Sequence, residues 1–277
     1  GEPHSNSSII FSRVVKLVEE HGIEKWFDIN IEELIDNPED YEKVTDTLDV
    51  WFDSGSSHAA VLEKTHELEF PADLYLEGSD QHRGWFQSSL LTSVAINNSV
   101  PYKSAMTHGF TVDAKGNKMS KSKGNVIAPQ KIIDRFGSDI LRLWVASTDC
   151  SSEMNVSEEI LNRTSDKYRK IRNTIRFLLS NISDYNPEKF SQDSITLELD
   201  KWIIKKAIAT QKEVIKHYEQ YNFHLLTQVI HSFCVNELGS FYLDVIKDRQ
   251  YTCKKESKER VSAQQSMFFL TKILLTW

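Results

Sequence analysis

The spacing of apolar residues changes near Ser157, and this change constrains the fold more than any other feature of the sequence. Before it, short apolar runs alternate with segments of helical period. After it, almost all apolar residues recur at the three- and four-residue intervals of an α-helix. Alternating strands and helices are typical of an α/β layer with parallel strands, and a long series of helices is typical of a bundle. The sequence therefore predicts an α/β fold followed by an α-helical bundle.

Local patterns predict the individual elements. They indicate a helix at 9–20, a short acidic helix from residue 31 with a turn at Asn37 and Pro38, a buried strand at 72–80 that ends in a polar loop, a helix at 84–98, and a second strand within 104–118. Pro129 near a helix start and Gly137 just past its end predict a further helix. Ser138 and Ser157 precede helical segments and are predicted N-caps.

Charge is divided unevenly along the chain. Residues 1–80 hold 20 acidic and 5 basic side chains, a balance of −15, whereas the remainder holds 20 acidic and 28 basic, a balance of +8. A basic second part is expected to face an anion. Charge alone favours a simpler interpretation, two separately solvated surfaces, so the asymmetry matters only if motifs also point to phosphate.

The three cysteines are far apart in the sequence. This pattern favours a reducing compartment and argues against disulfides or a zinc site. No apolar run approaches the length of a membrane span, and the first residues do not have the pattern of a signal peptide. The sequence therefore predicts a cytoplasmic protein with no membrane partner and no bound zinc.

A lysine-rich segment, "NKMSKSKGN" at residues 117–125, lies between a predicted strand and a predicted helix. Lysine ammonium groups suit phosphate oxygens, and α/β folds bind ligands at the carboxyl ends of strands. The segment is not a P-loop, since no G-x-x-x-x-G-K-[ST] occurs in the chain. Composition alone favours a solvated lysine patch. Because Met119 is its one apolar anchor and glycines flank it, we expect the segment to be poorly ordered without a ligand.

The order Lys-Met-Ser-Lys-Ser at residues 118–122 resembles the signature of the class I aminoacyl-tRNA synthetases. Residues 47–55, "TLDVWFDSG", and 74–90, "LYLEGSDQHRGWFQSSL", resemble the isoleucyl-tRNA synthetases closely. Residues 107–125 and 137–149 extend the resemblance. The valine enzymes share the lysine run but not "EGSDQHRGW".

The chain also departs from the family pattern. The His-x-Gly-His signature of the family does not occur, nor does an editing domain, and the chain ends within an apolar run. We therefore expect a fragment with three parts. These are an acidic connecting segment at 1–46, the C-terminal half of a Rossmann-like catalytic domain at 47–156, and the first part of a helical anticodon-binding domain at 157–277.

The resemblance implies a function. It implies ATP-dependent ligation of L-isoleucine to tRNA(Ile) through an isoleucyl adenylate, with Mg²⁺ accompanying ATP and with a monomeric enzyme. The fragment alone is expected to be inactive. Two alternatives stay open: a class I synthetase for valine, leucine or methionine, and a non-catalytic tRNA-binding remnant.

The lysine segment supplies the candidate catalytic residues, Lys118 and Lys121, because fixed cations stabilise charge that develops on phosphate. Lys121 is the stronger candidate by its position in the motif. Ser120 and Ser122 are candidates for hydroxyl donors to ATP, or for caps within the loop.

A second group of candidates surrounds the end of the first strand. By resemblance, Glu77 contacts the aminoacyl adenylate. Gly78 permits close backbone approach, and Asp80 and Gln81 suit ammonium and hydroxyl recognition. Asp80 has the alternative role of a helix cap. His108 precedes the lysine segment and is a candidate nucleotide contact, although a lone histidine is more often structural.

Two further sets follow from the family. By resemblance, Trp51 and Trp85 line the isoleucine side-chain pocket, whereas Trp144 and Trp202 are expected in the core. On the predicted helix after Ser157, a basic stripe is a candidate tRNA contact, with a solvated helix face as an equal alternative. Arg163, Lys167 and Lys170 fall on one stripe, and Arg169, Arg172 and Arg176 fall on a neighbouring one. The candidate tRNA contacts among them are Arg169, Lys170, Arg172 and Arg176. No metal-ligand set is predicted.

Overall fold

A computed structural model describes residues 2–277, apart from the side chain of Gln192. Its strands are β1 Ala72–Gly78, β2 Tyr102–His108, β3 Thr111–Val112 and β4 Met154–Asn155. Its helices are α1 Ser7–His21, α2 Glu24–Asp28, α3 Val50–Gly55, α4 Trp85–Asn97, α5 Pro129–Phe136, α6 Ser138–Ser147, α7 Glu158–Asn181, α8 Glu198–Glu219, α9 Phe223–Ser232, α10 Leu243–Val245, α11 Lys247–Thr252 and α12 Lys258–Thr276. Two π-helical segments span His58–Leu62 and Phe233–Tyr242.

The chain forms two compact units. The first comprises the chain up to Asp73 together with Gln81–Lys103, and the second comprises Leu74–Asp80 together with Ser104–Trp277. In the first unit, α3 and α4 approach closely, because a Cβ on Gly55 would lie 2.9 Å from the Ser88 side chain. Only a residue without a side chain fits there.

The α/β part of the second unit holds two small sheets. β1 pairs with β2, and β3 pairs in parallel with β4, with Thr111 opposite Met154. The prediction of a single strand within 104–118 is therefore wrong, because β2 ends at His108 and a separate strand, β3, begins at Thr111. Gly109 lies between the two strands, and a Cβ on it would be 2.0 Å from Ser152 O. The backbones at Gly109 and Ser152 therefore approach so closely that no side chain fits.

The helical part of the second unit has its own core. The core joins α7, α8, the π-helical segment at Phe233–Tyr242 and α12, and all of its largest side chains are fully or almost fully buried. They are Leu178, Ile203, Phe233, Leu238, Tyr242, Ile246, Met267 and Leu270. A smaller core under the lysine segment consists of Ile132, Trp144, Met154, Val156 and Leu161. The predicted burial of Trp144 is confirmed, and Trp202 packs against the larger core as expected.

A buried polar cluster crosses the helical part. Asp200 of α8 is 0% exposed and accepts hydrogen bonds from Tyr242 Oη at 2.8 Å and from Ser262 Oγ at 2.7 Å. Arg249 of α11 places Nη1 3.2 Å from both carboxylate oxygens. One side chain of α8 therefore joins three other segments of the helical part.

Several predicted elements are confirmed. α1, α4 and α5 lie where the patterns place them, and Ser157 caps α7 by accepting from Ile160 N at 3.3 Å. Ser138 is not an N-cap: Gly137, at φ 91°, is the cap and Ser138 is the first helical residue. A glycine readily adopts this positive φ, so the helix begins one residue earlier than predicted.

Two predicted elements differ from the structure. The acidic helix from residue 31 consists of single 3₁₀ turns at Ile31–Glu33 and Pro38–Asp40, since Pro38 cannot continue a helix. β1 is half-buried rather than buried, because Tyr75 and Gly78 are buried while Leu76 is 51% exposed. None of the helices described in residues 2–277 combines the length and apolar character needed to cross a membrane.

Candidate nucleotide-binding site

The lysine loop, residues 113–125, follows β3 and precedes α5, as predicted. It begins with a tight hairpin in which Asp113 N donates to Asn117 O at 3.0 Å and Gly116 N donates to Asp113 O at 2.9 Å. Gly116 has φ 77°, a conformation that favours glycine. The hairpin returns the chain so that Lys118 forms an antiparallel bridge with Val112. The lysines therefore lie at the carboxyl end of β3.

A single 3₁₀ turn, Lys121–Lys123, carries the second half of the motif. Ser120 Oγ caps it by accepting from Lys123 N at 3.3 Å, and Gly124 ends it at φ 66°. Ser122 Oγ lies 3.1 Å from Ser120 Oγ. Of the two roles predicted for Ser120, the structure therefore shows the cap within the loop, whereas Ser122 is exposed.

The lysine side chains of the loop are exposed. Lys118 Nζ lies 3.3 Å from the centroid of the Phe110 ring, a cation–π contact that directs its ammonium group. Within residues 2–277, no carboxylate forms an ion pair with Lys118, Lys121 or Lys123. Their charges are consequently available to an anionic ligand.

Side chains of the loop make contacts with the fold and with each other. Met119 is partly buried and packs against the smaller core, so it anchors the middle of the loop. Asp113 and Asn125 join the two ends of the loop through their side chains, with Asn125 Nδ2 2.9 Å from Asp113 Oδ2. Neither residue was among the site residues predicted from the sequence. The sequence "DAKGN" at residues 113–117 could have indicated Asp113, because aspartate at the start of a tight turn often accepts hydrogen bonds from the turn backbone.

The end of β1 brings Gly78, Asp80 and His108 together. A Cβ on Gly78 would lie 2.6 Å from Asp80 Oδ1 and 3.9 Å from His108 Cε1, so a larger residue would require the Asp80 carboxylate to move. His108 Nδ1 lies 2.9 Å from Gly109 O, a bond that requires the proton on Nδ1 and leaves Nε2 as an acceptor in the neutral ring. Glu77 is exposed and accepts from Gly78 N at 3.0 Å.

The helix-cap alternative for Asp80 is wrong. Asp80 lies within the 3₁₀ segment Ser79–Arg83, and the N-cap of α4 is Gly84. The capping bond is made by Gln81, whose Oε1 accepts from Trp85 N at 3.0 Å. A long amide side chain reaches the free N–H group of the first turn from this position.

The two candidate pocket tryptophans, Trp51 and Trp85, both belong to the first unit. Trp51 is 43% exposed on α3, and its ring atom Cη2 would lie 2.9 Å from a Cβ on Gly84. Trp85 begins α4 and donates from Nε1 to Ser57 Oγ at 3.1 Å. The Trp51 ring therefore packs against Gly84, the residue that precedes Trp85.

The candidate tRNA residues lie on the exposed face of α7. Arg169 forms an ion pair with Asp166 one turn earlier, so part of its charge is neutralised. Ile171 and Ile175 are partly buried and Leu178 is fully buried on the opposite side, as the helical period predicts. Residues 2–277 contain no group of three or more His, Cys, Asp or Glu side chains that could hold a metal ion.

Comparisons with known proteins agree with these features. The profile described as "tRNA synthetases class I (I, L, M and V)" matches residues 2–157, and the profile described as "Anticodon-binding domain of tRNA ligase" matches residues 200–277. Isoleucine–tRNA ligases of Alkalilimnicola ehrlichii and Thioalkalivibrio sulfidiphilus are each 56% identical over 279 residues, and that of Hahella chejuensis is 57% identical over 280. The alignments cover 100% of this chain and 30% of each relative, so the chain spans about 30% of their length.

Solved structures share the fold. The LeuRS–tRNA–LeuAMS ternary complex from Agrobacterium radiobacter K84 has a TM-score of 0.67 at 18% identity, covering 84% of this chain and 30% of that one. The Mycobacterium tuberculosis methionyl-tRNA synthetase in complex with methionyl-adenylate has a TM-score of 0.64 at 18% identity, covering 81% and 46%. Since the class I profile matches more than half of the sequence, the chain belongs to the class I tRNA synthetases of the isoleucine, leucine, methionine and valine group.

Proposed function

We propose that this chain is the part of an isoleucine–tRNA ligase that carries the lysine loop and the beginning of the anticodon-binding domain. The observation that carries the proposal is the lysine loop, which exposes Lys118, Lys121 and Lys123 without carboxylate partners among residues 2–277, at the carboxyl end of β3. The identity of 52–57% to relatives named isoleucine–tRNA ligase supports isoleucine as the amino acid. The proposed parts are residues 1–46, 47–156 and 157–277.

The first step of the proposed reaction forms an aminoacyl adenylate. The isoleucine carboxylate attacks the α-phosphorus of ATP, the bond to the β-phosphate breaks, and pyrophosphate leaves. Negative charge grows on the leaving phosphates, and fixed cations that face this charge lower the barrier. We assign this role to Lys121 and Lys118. Mg²⁺ enters with ATP as part of the substrate.

The remaining candidates are assigned to substrate binding. Gly78, Asp80 and His108 form one packed group next to Glu77, and a carboxylate there suits the substrate ammonium or a ribose hydroxyl. Ser120 holds the 3₁₀ turn that presents Lys121. Ser122 remains a candidate hydroxyl donor.

The second step transfers the aminoacyl group to a terminal ribose hydroxyl of tRNA(Ile), releasing AMP. We propose that the exposed basic face of α7 follows the tRNA backbone. Lysine and arginine contacts to phosphate contribute affinity that falls as salt rises. Lys170, Arg172 and Arg176 are the first candidates, because Arg169 is already paired with Asp166.

Isoleucine-dependent exchange of pyrophosphate into ATP tests the proposed function. We expect exchange in the full-length protein that contains this chain, with isoleucine preferred over valine, leucine and methionine. We expect no exchange above background in the 277-residue chain, because the rest of the catalytic domain contributes to the near-attack geometry. Preference for another amino acid would overturn the assigned substrate, and full activity of the short chain would overturn the assigned division of the catalytic domain.

Trp85→Ala in the full-length protein tests the amino-acid pocket. We expect the KM for isoleucine to rise about tenfold or more, since an indole provides a large apolar contact area. The KM for ATP should change little, because the lysine loop is retained. Trp202→Ala is the control for general loss of packing, since Trp202 packs against the core of the helical part. An unchanged KM for isoleucine in Trp85→Ala would contradict the pocket assignment.

A further inference from the structure

One carboxylate organises the start of the lysine loop. Asp113 Oδ1 accepts from Lys115 N at 2.9 Å and from Asn117 N at 3.0 Å, which closes the hairpin. Its other oxygen, Oδ2, accepts from Asn125 Nδ2 at 2.9 Å. The two residues are 12 positions apart, so this bond joins the beginning of the loop to its end.

The Asn125 side chain also holds the middle of the loop. Its Oδ1 accepts from Ser120 N at 3.0 Å, and its Nδ2 lies 3.4 Å from Lys118 O. One amide therefore contacts the start of the motif, the cap of the 3₁₀ turn and Asp113. Lys118 and Lys121 lie on either side of this cap, so their relative position depends on Asn125.

The same network attaches the loop to the fold. Asn155 Nδ2 of β4 donates to Asp113 O at 3.1 Å, and Trp144 Nε1 of α6 donates to Asn155 O at 3.2 Å. Trp144 belongs to the smaller core. A chain of side-chain hydrogen bonds thus leads from a packed tryptophan to the lysine loop.

The chemistry of Asp113 fits a structural carboxylate rather than a metal ligand or a proton donor. The hydrogen bond from Asn125, and then those from Asn117 and Lys115, lower its pKa to about 2. A lowered pKa means that its contribution to loop stability is complete above the ordinary value of 3.8 and is lost only as the pH falls through about 2. At neutral pH the carboxylate is ionised, and both oxygens are occupied by N–H donors.

We propose that Asn125 is a positioning residue, which acts through Asp113 to hold the lysine loop in the arrangement that presents Lys118 and Lys121 to the nucleotide. This inference rests on the proposed function of the loop. Among the described residues, no carboxylate pairs with these lysines to restrict them, and Met119 anchors only one point of the loop. Ordering the loop before ATP binds removes part of the entropy cost of the reactive geometry.

An exchange of the two side chains tests the inference. Asn125→Asp places two carboxylates against each other, and Asp113→Asn places two amides there, so each single variant should open the loop. The double variant Asp113→Asn/Asn125→Asp restores a donor opposite an acceptor, with an oxygen still facing Ser120 N. It loses only the long contact of Asn125 Nδ2 with Lys118 O. Rescue by the double variant would not be expected if either residue served only as bulk filling.

Limited trypsin digestion of the 277-residue chain measures loop opening. Trypsin can cleave inside the loop after Lys115, Lys118, Lys121 and Lys123. Arg176 on α7 serves as the internal standard for global unfolding. We expect cleavage in the loop to rise about tenfold in each single variant relative to Arg176, the effect of one lost hydrogen bond, and to return towards wild type in the double variant. Equal loop cleavage in all four proteins would overturn the inference.

Pyrophosphate exchange by the full-length protein measures the consequence for the reaction. We expect each single variant to lower kcat/KM for ATP about tenfold and the double variant to recover most of it, with the KM for isoleucine unchanged. An active wild type with fully active single variants would overturn this inference alone. A wild type without isoleucine-dependent exchange would overturn the proposed function and this inference with it.

Discussion

Replacing Lys121 by alanine in the full-length protein is expected to lower kcat for isoleucine-dependent pyrophosphate exchange by about 10²–10³-fold, the usual effect of removing one group that stabilises transition-state charge. Lys121 is exposed, starts the 3₁₀ turn capped by Ser120 and has no carboxylate partner among residues 2–277. In the proposed reaction its charge acts mainly when pyrophosphate departs, so kcat and kcat/KM for ATP should fall together. The KM for isoleucine should stay close to wild type.

Two further variants make this test specific. Lys123→Ala removes an equal charge from the same exposed loop, and we expect a much smaller effect if position rather than net charge matters. Lys121→Arg retains the charge and should recover part of the activity. Steady-state kinetics on the three variants, with thermal melting to exclude unfolding, provide the measurement. A Lys121→Ala variant with normal kcat and a raised KM for isoleucine would show that the catalytic assignment of the loop is wrong.

Asp200→Ala is expected to cause the largest loss of stability, about 3–5 kcal/mol, because it leaves partners of a buried charge uncompensated. The change removes the acceptor of Tyr242 Oη and of Ser262 Oγ, both in the buried core, and the partner of Arg249, whose side chain is 22% exposed. Burial and the nearby Asp200 charge raise the pKa of Tyr242 well above its ordinary value, so the tyrosine stays a donor at neutral pH. A loss of this size is a large fraction of the stability of a typical domain.

Chemical denaturation of the 277-residue chain, followed by circular dichroism, measures the effect. Asp166→Ala is the matched control, since it removes an aspartate that pairs with an arginine on an exposed helix face. Exposed pairs contribute little to stability, so the control should lose only a small fraction of what Asp200→Ala loses. Equal losses in the two variants would contradict the importance of burial at Asp200.

The sequence was sufficient for the features that depend on neighbours along the chain. Helical period placed α1 and α4, Pro129 and Gly137 bounded α5, and Ser157 marked the start of α7. The Lys-Met-Ser-Lys-Ser order indicated the family that the profile comparison shows. These signals are local, because helix periodicity and capping each involve residues within one or two turns.

Only the tertiary structure revealed the contacts between distant residues. Asp113 and Asn125 are 12 positions apart and Asp200 and Ser262 are 62 apart, and no periodic pattern links such pairs. The break at Gly109 was missed because its cause, the approach of Ser152 O, comes from another segment. Gln81 rather than Asp80 caps α4 because the path of the preceding turn decides which side chain reaches Trp85 N. Local preference determines which elements form, whereas packing between segments determines which polar side chains meet.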